Sequence, residues 1–327
     1  MSASEGQGAQ RDLPAVAIAS PTRDRHRALA ATLEAFEAVD LEGVREILVI
    51  DQTDPPFDPS PHAARLPVPV RLVALAEAGL CRARNAALRA TAAEIVLYVD
   101  DDVVPERGLV QGHRRAYREH PRAVGVAGRE ELPPGAAPSG FLRRLAVDGL
   151  RRLAARRPGS RPFLDAEGRP VGLVTPTGLF LCDFSRRLPC RVHTPRGCNM
   201  SFRREALLAV GGFDEGFVGV ARREESDASL RLLAARPSSE LWFAPEAGLL
   251  HLMAPSGGCR DDGGRAWRRQ LVTCEMRFAR RHLGRFARLL VALRLVARSP
   301  GAFLRDPGLW RLLFWPPPAE AAQARST

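Results

Sequence analysis

Ile95-Val96-Leu97-Tyr98-Val99-Asp100-Asp101-Asp102 is an unbroken apolar run that ends in three consecutive carboxylates. A run this short, apolar at every position and rich in branched residues, predicts a strand buried on both faces of a parallel sheet. In open α/β sheets ligands sit in the crevice beyond the carboxyl ends of the strands, so these acids stand where a ligand belongs. Adjacent carboxylates repel one another unless a cation or donor groups neutralise them, and hard oxygen ligands suit Mg²⁺ or Mn²⁺. An acidic surface turn is the other reading, and the triplet alone does not separate the two.

Strands of the same kind lie upstream. Ala15-Val16-Ala17-Ile18-Ala19 runs into the turn-forming Ser20-Pro21-Thr22-Arg23-Asp24-Arg25, after which Leu29, Leu33 and Phe36 recur at helical spacing. Ile47-Leu48-Val49-Ile50 is a second buried strand closed by Asp51, which completes a βαβ unit and gathers polar groups on one sheet edge. A third strand is predicted over residues 68–74, beyond a Pro-rich loop. Gly79 then opens a helix whose first turns carry Arg82, Arg84 and Asn85, a setting suited to phosphate. In so Arg-rich a chain, plain solvated arginines are the alternative.

The chain has 327 residues, enough for one large or two small domains, and its 45% hydrophobic and 26% charged residues are those of a soluble globular protein. Its net charge of +11 is carried by arginine spread along the chain, with no lysine. That spread reads as compositional bias, and with no basic-aromatic module in sight no nucleic-acid partner is expected. Cys81, Cys182, Cys190, Cys198, Cys259 and Cys274 lack zinc-type spacing and are expected as reduced thiols. Residues 1–12 read as a disordered leader without the apolar core of a signal peptide, and no stretch reaches the ~18 apolar residues of a spanning helix. A cytoplasmic protein, able to touch the inner face of a membrane, is the expectation.

The order of these segments resembles the family 2 glycosyltransferases. The resemblance rests on Pro21-Thr22-Arg23-Asp24-Arg25, on Asp51, on residues 79–85, and on Asp100-Asp101-Asp102 in the place of the family's DxD. It extends through Gly197-Cys198-Asn199-Met200-Ser201-Phe202-Arg203-Arg204 and Gly211-Gly212-Phe213-Asp214-Glu215, similar to acceptor-side segments of the family. Arg223-Glu224-Glu225-Ser226-Asp227 is similar to its ED-containing helix, so the likeness spans about residues 14–255.

The resemblance implies an α/β chain of GT-A (nucleotide-diphospho-sugar transferase-like) fold, with a mostly parallel central sheet flanked by helices and a C-terminal helical extension. A catalytic domain at 13–265 would divide into a nucleotide-binding half at 13–129 and an acceptor half at 130–265, followed by the basic extension at 266–327. Pro21, Thr22, Arg23, Asp51, Gly79, Arg84, Asn85, Asp100 and Asp101 would bind the nucleotide sugar, and Asp102 and His251 the Mn²⁺ or Mg²⁺. Asn199, Gly212, Phe213 and Asp214 would stand on the acceptor side. Glu225 holds the place of the expected general base, with Glu224 and Asp227 as competitors. The chain departs from the family pattern in having Gln52 after Asp51, where a second acid is common, and Glu225 where the family has Asp.

The implied reaction is hexosyltransferase-like, a step of polysaccharide or glycoconjugate biosynthesis. It moves a sugar from a UDP-, GDP- or dTDP-sugar to a hydroxyl of a glycan, a lipid-linked acceptor or a small molecule. A sugar hydroxyl is a poor nucleophile at neutral pH, so a carboxylate must take its proton, and a divalent cation can stabilise the departing diphosphate. One base on the face opposite the leaving group implies inversion. A nucleotidyltransferase making the sugar nucleotide is a rival reading, but it would carry a Gly-rich basic loop where this chain has Ser20-Pro21-Thr22. An inactive nucleotide-binding or membrane-surface scaffold is another.

Residues 130–195 match no pattern, although they hold an Arg-rich amphipathic segment at 141–157 and an apolar stretch at 171–184. Leu241-Trp242-Phe243-Ala244-Pro245 and Gly248-Leu249-Leu250-His251 read as two short strands, and the loop at 255–260 with Arg260 as a lid. Residues 267–315 are predicted to be helical and basic, with Arg281, Arg285 and Arg288 beside Leu289, Leu290 and Leu293 and with Trp310, Phe314 and Trp315 beyond. Such segments lie on anionic membranes, cover cores or form dimers.

Overall fold

The computed structural model of the chain describes residues 13–135, 161–219, 221–253 and 264–314. The leader at 1–12, the segment at 141–157, the loop at 255–260 with Arg260, and Trp315 with the prolines after it lie outside the described residues.

In chain order, β1 (Val16–Thr22), α1 (His26–Ala35), β2 (Val44–Asp51), β3 (Val70–Ala74), α2 (Leu80–Ala90) and β4 (Ile95–Val99) build the first half. Then come β5 (Val103–Pro105), α3 (Leu109–Glu119), β6 (Ala123–Glu131), a hairpin of β7 (Gly172–Val174) and β8 (Phe180–Cys182), and β9 (Cys190–Arg191). β10 (Asn199–Arg203), α4 (Arg204–Ala209), α5 (Glu224–Ala235) and β11 (Glu240–His251) close the sheet. Four helices follow: α6 (Arg265–His282), α7 (Arg285–Arg298), α8 (Pro300–Arg305) and α9 (Pro307–Phe314).

The central sheet runs β3-β2-β1-β4-β10-β6-β11-β5, with β9 beside β11. β1 to β4, β6 and β11 share one direction, while β10, β5 and β9 oppose it. The apolar run at β4 explains its central place. Val96 and Tyr98 enter the core on one face of the sheet while Ile95, Leu97 and Val99 enter that on the other, as the period of two demands. Truncating Leu97 to Ala should cost about 3 kcal/mol, a typical value for a fully buried leucine.

Two strands begin or break differently from the sequence reading, and proline accounts for both. β3 starts at Val70, after Pro69 has left the ladder without a donor. The two strands expected around Pro245 are one strand, β11, whose register against β6 shifts between Ala244 and Gly248.

Register also decides what reaches the carboxyl edge. Thr22 of β1 pairs with Asp51 of β2, and antiparallel β10 brings Asn199 opposite Val99, immediately before the acids. Antiparallel β5 and β11 place His251 opposite Val103, with the Leu252 amide donating to the Asp102 carbonyl at 2.9 Å.

Candidate active site

The acids after β4 are held in three different ways. Asp101 is fully buried and accepts from the Thr22 hydroxyl at 2.6 Å and from Arg25 Nε at 3.1 Å. Burial pushes its carboxyl up to about 6, against the pull of Arg25 and Thr22. Asp102 is buried, with Arg25 at 3.3 Å from one oxygen and His251 Nε2 at 3.3 Å from the other. Asp100 is the most open, its oxygens 3.8 Å from Arg84 and 3.9 Å from His251.

Asp100, Asp102 and His251 present three ligand atoms within 4.8 Å of one another. Two carboxylates and an imidazole form a donor set that suits Mn²⁺, and Mg²⁺ through the oxygens. Glu130 and Cys198 stand behind this group: Glu130 Oε1 lies 2.8 Å from His251 Nδ1, and its other oxygen 3.2 Å from Arg196. Burial pushes the Cys198 thiol up to about 12, and with Glu130 and His251 it forms a second group whose ligand atoms lie within 4.8 Å of one another. Burial pulls His251 down, but hydrogen bonds to Asp102, Cys198 and Glu130 carry it up to about 12. Its imidazolium therefore shares with Arg25 the neutralising of these acids, and cation binding at Nε2 requires that proton to leave.

Among the residues expected to bind the nucleotide, Asp51 is buried and accepts from the amides of Thr53 at 2.9 Å and Phe57 at 2.7 Å, with His26 Nε2 at 2.7 Å. Burial raises its carboxyl, yet these bonds bring it below the ordinary carboxylate value. Gln52 donates to the carbonyls of Glu77 at 2.9 Å and Gly79 at 3.2 Å, so it ties the end of β2 to the turn that opens α2. Pro21 is buried within β1, whereas Arg23 is exposed beside Asp24 and Arg25 is the arginine that reaches the acids.

Arg84 is buried and joins the two halves. It pairs with Glu224, donates to the Gly197 carbonyl at 3.0 Å and lies over the Phe213 ring. Asn85 does the same one residue on. It accepts from the Phe213 amide at 2.8 Å, and donates to the Phe213 carbonyl at 2.8 Å and to Glu215 at 3.0 Å. Gly212 sits at φ +71°, and a Cβ there would meet the Asn85 carbonyl oxygen at 2.5 Å. The two residues are therefore fitted to each other, and both work in the joint between the halves.

Of the acceptor-side candidates, Asn199 and Phe213 are buried. Asn199 donates to the carbonyls of Arg129 at 3.0 Å and Ala247 at 2.9 Å and accepts from His113, so its amide supports the wall and does not face an acceptor. Asp214 is clamped by Arg277 and Arg281 of α6 and lies well below the usual carboxylate range: burial raises it, but those bonds and the Gly216 amide bring it to about 2.

The three acids at the start of α5 are just as unequal. Glu224 is closed by Arg84, and Asp227 by Arg231, Arg281 and His282 at 2.8 Å each. Glu225 is half-buried and, among the described residues, makes no hydrogen bond or ion pair. Its charge is felt by Arg196, which also pairs with Glu130 and so leads to His251. Glu130 and Arg196 carry no signal in the sequence, whereas Arg25 stands in the turn after β1 and Gln52 in the place where the family pattern has a second acid.

Residues 18–146 match the sequence profile of the family described as "Glycosyl transferase family 2". That stretch is about two fifths of the chain, and over it the chain is similar to glycosyl transferase family 2. No curated protein matches it in sequence. Among solved structures it is similar to GalNAc-T7 with UDP, GalNAc and Mn²⁺, at 14% identity and a TM-score of 0.56, over 80% of this chain and 48% of that one. It is also similar to the mannosyltransferase PcManGT from Pyrobaculum calidifontis in complex with GDP-Man and Mn²⁺, at 18% identity and a TM-score of 0.52, over 96% and 80% of the two chains. The chain thus spans about half of the first structure. At these identities the likeness shows the fold, an α/β sheet of GT-A type with helices on both faces.

Proposed function

We propose that this chain is a family 2 glycosyltransferase, an inverting, metal-assisted hexosyltransferase that moves a sugar from a nucleoside-diphosphate sugar to an acceptor hydroxyl. One observation carries the reading. Of the three acids at the start of α5, Glu224 and Asp227 are closed by cations, and Glu225 alone is left without a partner among the described residues. A general base must be ionised and within reach of a hydroxyl, and a carboxylate already closed by guanidinium groups is a poor one.

In this reading Glu225 takes the hydroxyl proton at its carboxylate as the acceptor oxygen attacks the anomeric carbon from the face opposite the diphosphate. Asp102 and His251, with Asp100, would hold Mn²⁺ or Mg²⁺, which when bound offsets charge on the departing diphosphate. Asp51, Thr22, Asp101 and the Gly79–Arg84 turn line the donor side, while Arg84 keeps Glu224 neutralised and the Gly197 carbonyl in place. The two similar structures hold UDP with GalNAc, or GDP-Man, together with Mn²⁺, which supports a donor of that class. No helix among the described residues is long and apolar enough to cross a membrane. A cytoplasmic protein held peripherally at a membrane face, working on a lipid-linked or glycan hydroxyl, fits this reading.

The test is a panel of UDP-, GDP- and dTDP-sugars with Mn²⁺ or Mg²⁺, scored by release of nucleoside diphosphate. Glu225→Gln should lower turnover by about 10²–10⁴, the usual worth of a positioned base, with donor affinity kept. Asp102→Asn should lose the metal-dependent part of donor binding. Normal turnover by the Glu225 variant would remove it as the base, and EDTA-insensitive turnover by Asp102→Ala would end the metal role.

A further inference from the structure

Exposed large apolar side chains concentrate in the last three helices: Phe286 (72% exposed), Leu289, Leu293, Leu304 (83%), Trp310 and Phe314 (68%), against Val104, Leu252 and Met253 elsewhere among the described residues. Phe286, Leu289 and Leu293 recur at i, i+3 and i+7 and so form one outward stripe on α7. The opposite side of the same helix, through Ala287, Val291 and Leu295, is already spent on the core shared with α6. A helix apolar on both sides is normally covered on both.

Charge says what fits the outer side. Between Met276 and Phe314 the only carboxylate is Asp306, and both its oxygens are taken by Arg265 and Arg269. Arg285, Arg298, Arg305 and Arg311 are exposed and, among the described residues, make no side-chain hydrogen bond or ion pair. Where α6, α8 and α9 meet, a cavity of about 410 Å³ is lined by Arg265, Arg268, Arg305, Leu309 and the already neutralised Asp306, and among the described residues Arg268 and Arg305 make no side-chain hydrogen bond or ion pair. None of the residues lining this cavity belongs to the site around the acids after β4. Two copies pressed together through this surface would oppose arginines with nothing to neutralise them.

We propose that α7 to α9 dock the protein on an anionic lipid bilayer, with the α7 stripe in the interfacial region and a lipid phosphate between Arg268 and Arg305. This rests on the transferase reading only in what it adds, an acceptor hydroxyl presented at that surface. Apolar insertion and basic attraction act together in such docking, and each arginine near an anionic surface is worth about fivefold in affinity.

The test is sedimentation of the full chain with phosphatidylcholine vesicles, with and without phosphatidylglycerol. The chain should sediment with the anionic vesicles only, and less so as salt rises. Phe286→Ser/Leu289→Ser/Leu293→Ser should bind about tenfold more weakly, and Arg268→Ala and Arg305→Ala about fivefold each. All these side chains are at or near the surface, so circular dichroism should report an unchanged fold. Equal binding to both vesicles, binding to neither, or full binding by the triple variant would overturn the proposal. So would a dimer in solution that the triple variant dissociates. Nucleoside diphosphate release is read without vesicles, so a chain that binds but does not turn over donor fails the transferase reading alone, and the converse fails the docking alone.

Discussion

His251 has two ring nitrogens, and Glu130 occupies one of them. With Nδ1 2.8 Å from the Glu130 carboxylate, Nε2 is the nitrogen turned to Asp102 and Asp100. An acid behind a metal-binding imidazole fixes its tautomer and raises its basicity, and losing such a partner lowers metal affinity by about 10- to 100-fold. Glu130→Ala should therefore weaken Mn²⁺ binding by that amount, read by metal titration without donor. Glu130→Gln, which can still accept from Nδ1 but has lost the charge, should fall between. A purely structural role would move thermal stability in both variants and leave the order of metal affinities flat. Asp100 and Asp102 drew notice from sequence because they follow the apolar run of β4, and His251, at the end of β11, because the family resemblance points to it. Glu130 also sits at a strand end, but only the pairing of β6 with β11 brings it to His251, and no local pattern encodes that pairing.

At the scale of elements, the antiparallel strand β10 is what joins the halves, and His113 of α3 holds it. Fully buried, His113 meets Asn199 at 2.8 Å through Nε2 and Ser201 at 2.9 Å through Nδ1, both on β10. Burial pulls its pKa down to about 4, so it folds neutral. The unfolded chain binds this proton below about 6.5 and the folded chain only near 4, so its stabilising contribution is whole above 6.5 and is lost as pH falls through that window. The shift corresponds to about 3 kcal/mol. Denaturant unfolding of the wild type and His113→Gln should show a wild-type advantage at neutral pH that shrinks by about that amount near pH 4. A constant gap between the two would show that His113 does not titrate in this way. The strands β1, β2 and β4 could be read from their apolar runs, since burial on both faces leaves a local trace. The direction of β10 and its neighbours could not, because strand order is set by contacts far apart in sequence.

For the whole molecule the C-terminal helices are not one appendage. The sequence reading sets a boundary near residue 265, where a basic helical pattern begins, and composition alone draws it there. Yet α6 is bound into the body that carries the sheet. Arg277 and Arg281 hold Asp214, Arg281 and His282 hold Asp227, Glu275 holds Arg222 and Arg223, and Cys274 and Phe278 pack in the main core. Removing the chain from residue 265 would take Arg277, Arg281 and His282 from Asp214 and Asp227 and strip Cys274 and Phe278 from the main core, and losing one large buried side chain costs about 3–5 kcal/mol. Two such losses approach the whole stability of a typical domain, about 5–15 kcal/mol. A chain ending at residue 264 should therefore show no cooperative thermal transition. A chain ending at residue 284 keeps every one of these ties but loses the cover that α7 to α9 give to Leu271, Met276 and Ala279, the Asp306 partner of Arg265 and Arg269, and the Arg294 bond to the Thr177 carbonyl. It should unfold cooperatively at a lower midpoint and still release nucleoside diphosphate, while losing its hold on anionic vesicles. A wild-type midpoint for the shorter chain would show instead that α6 rests on the sheet-bearing body without supporting it.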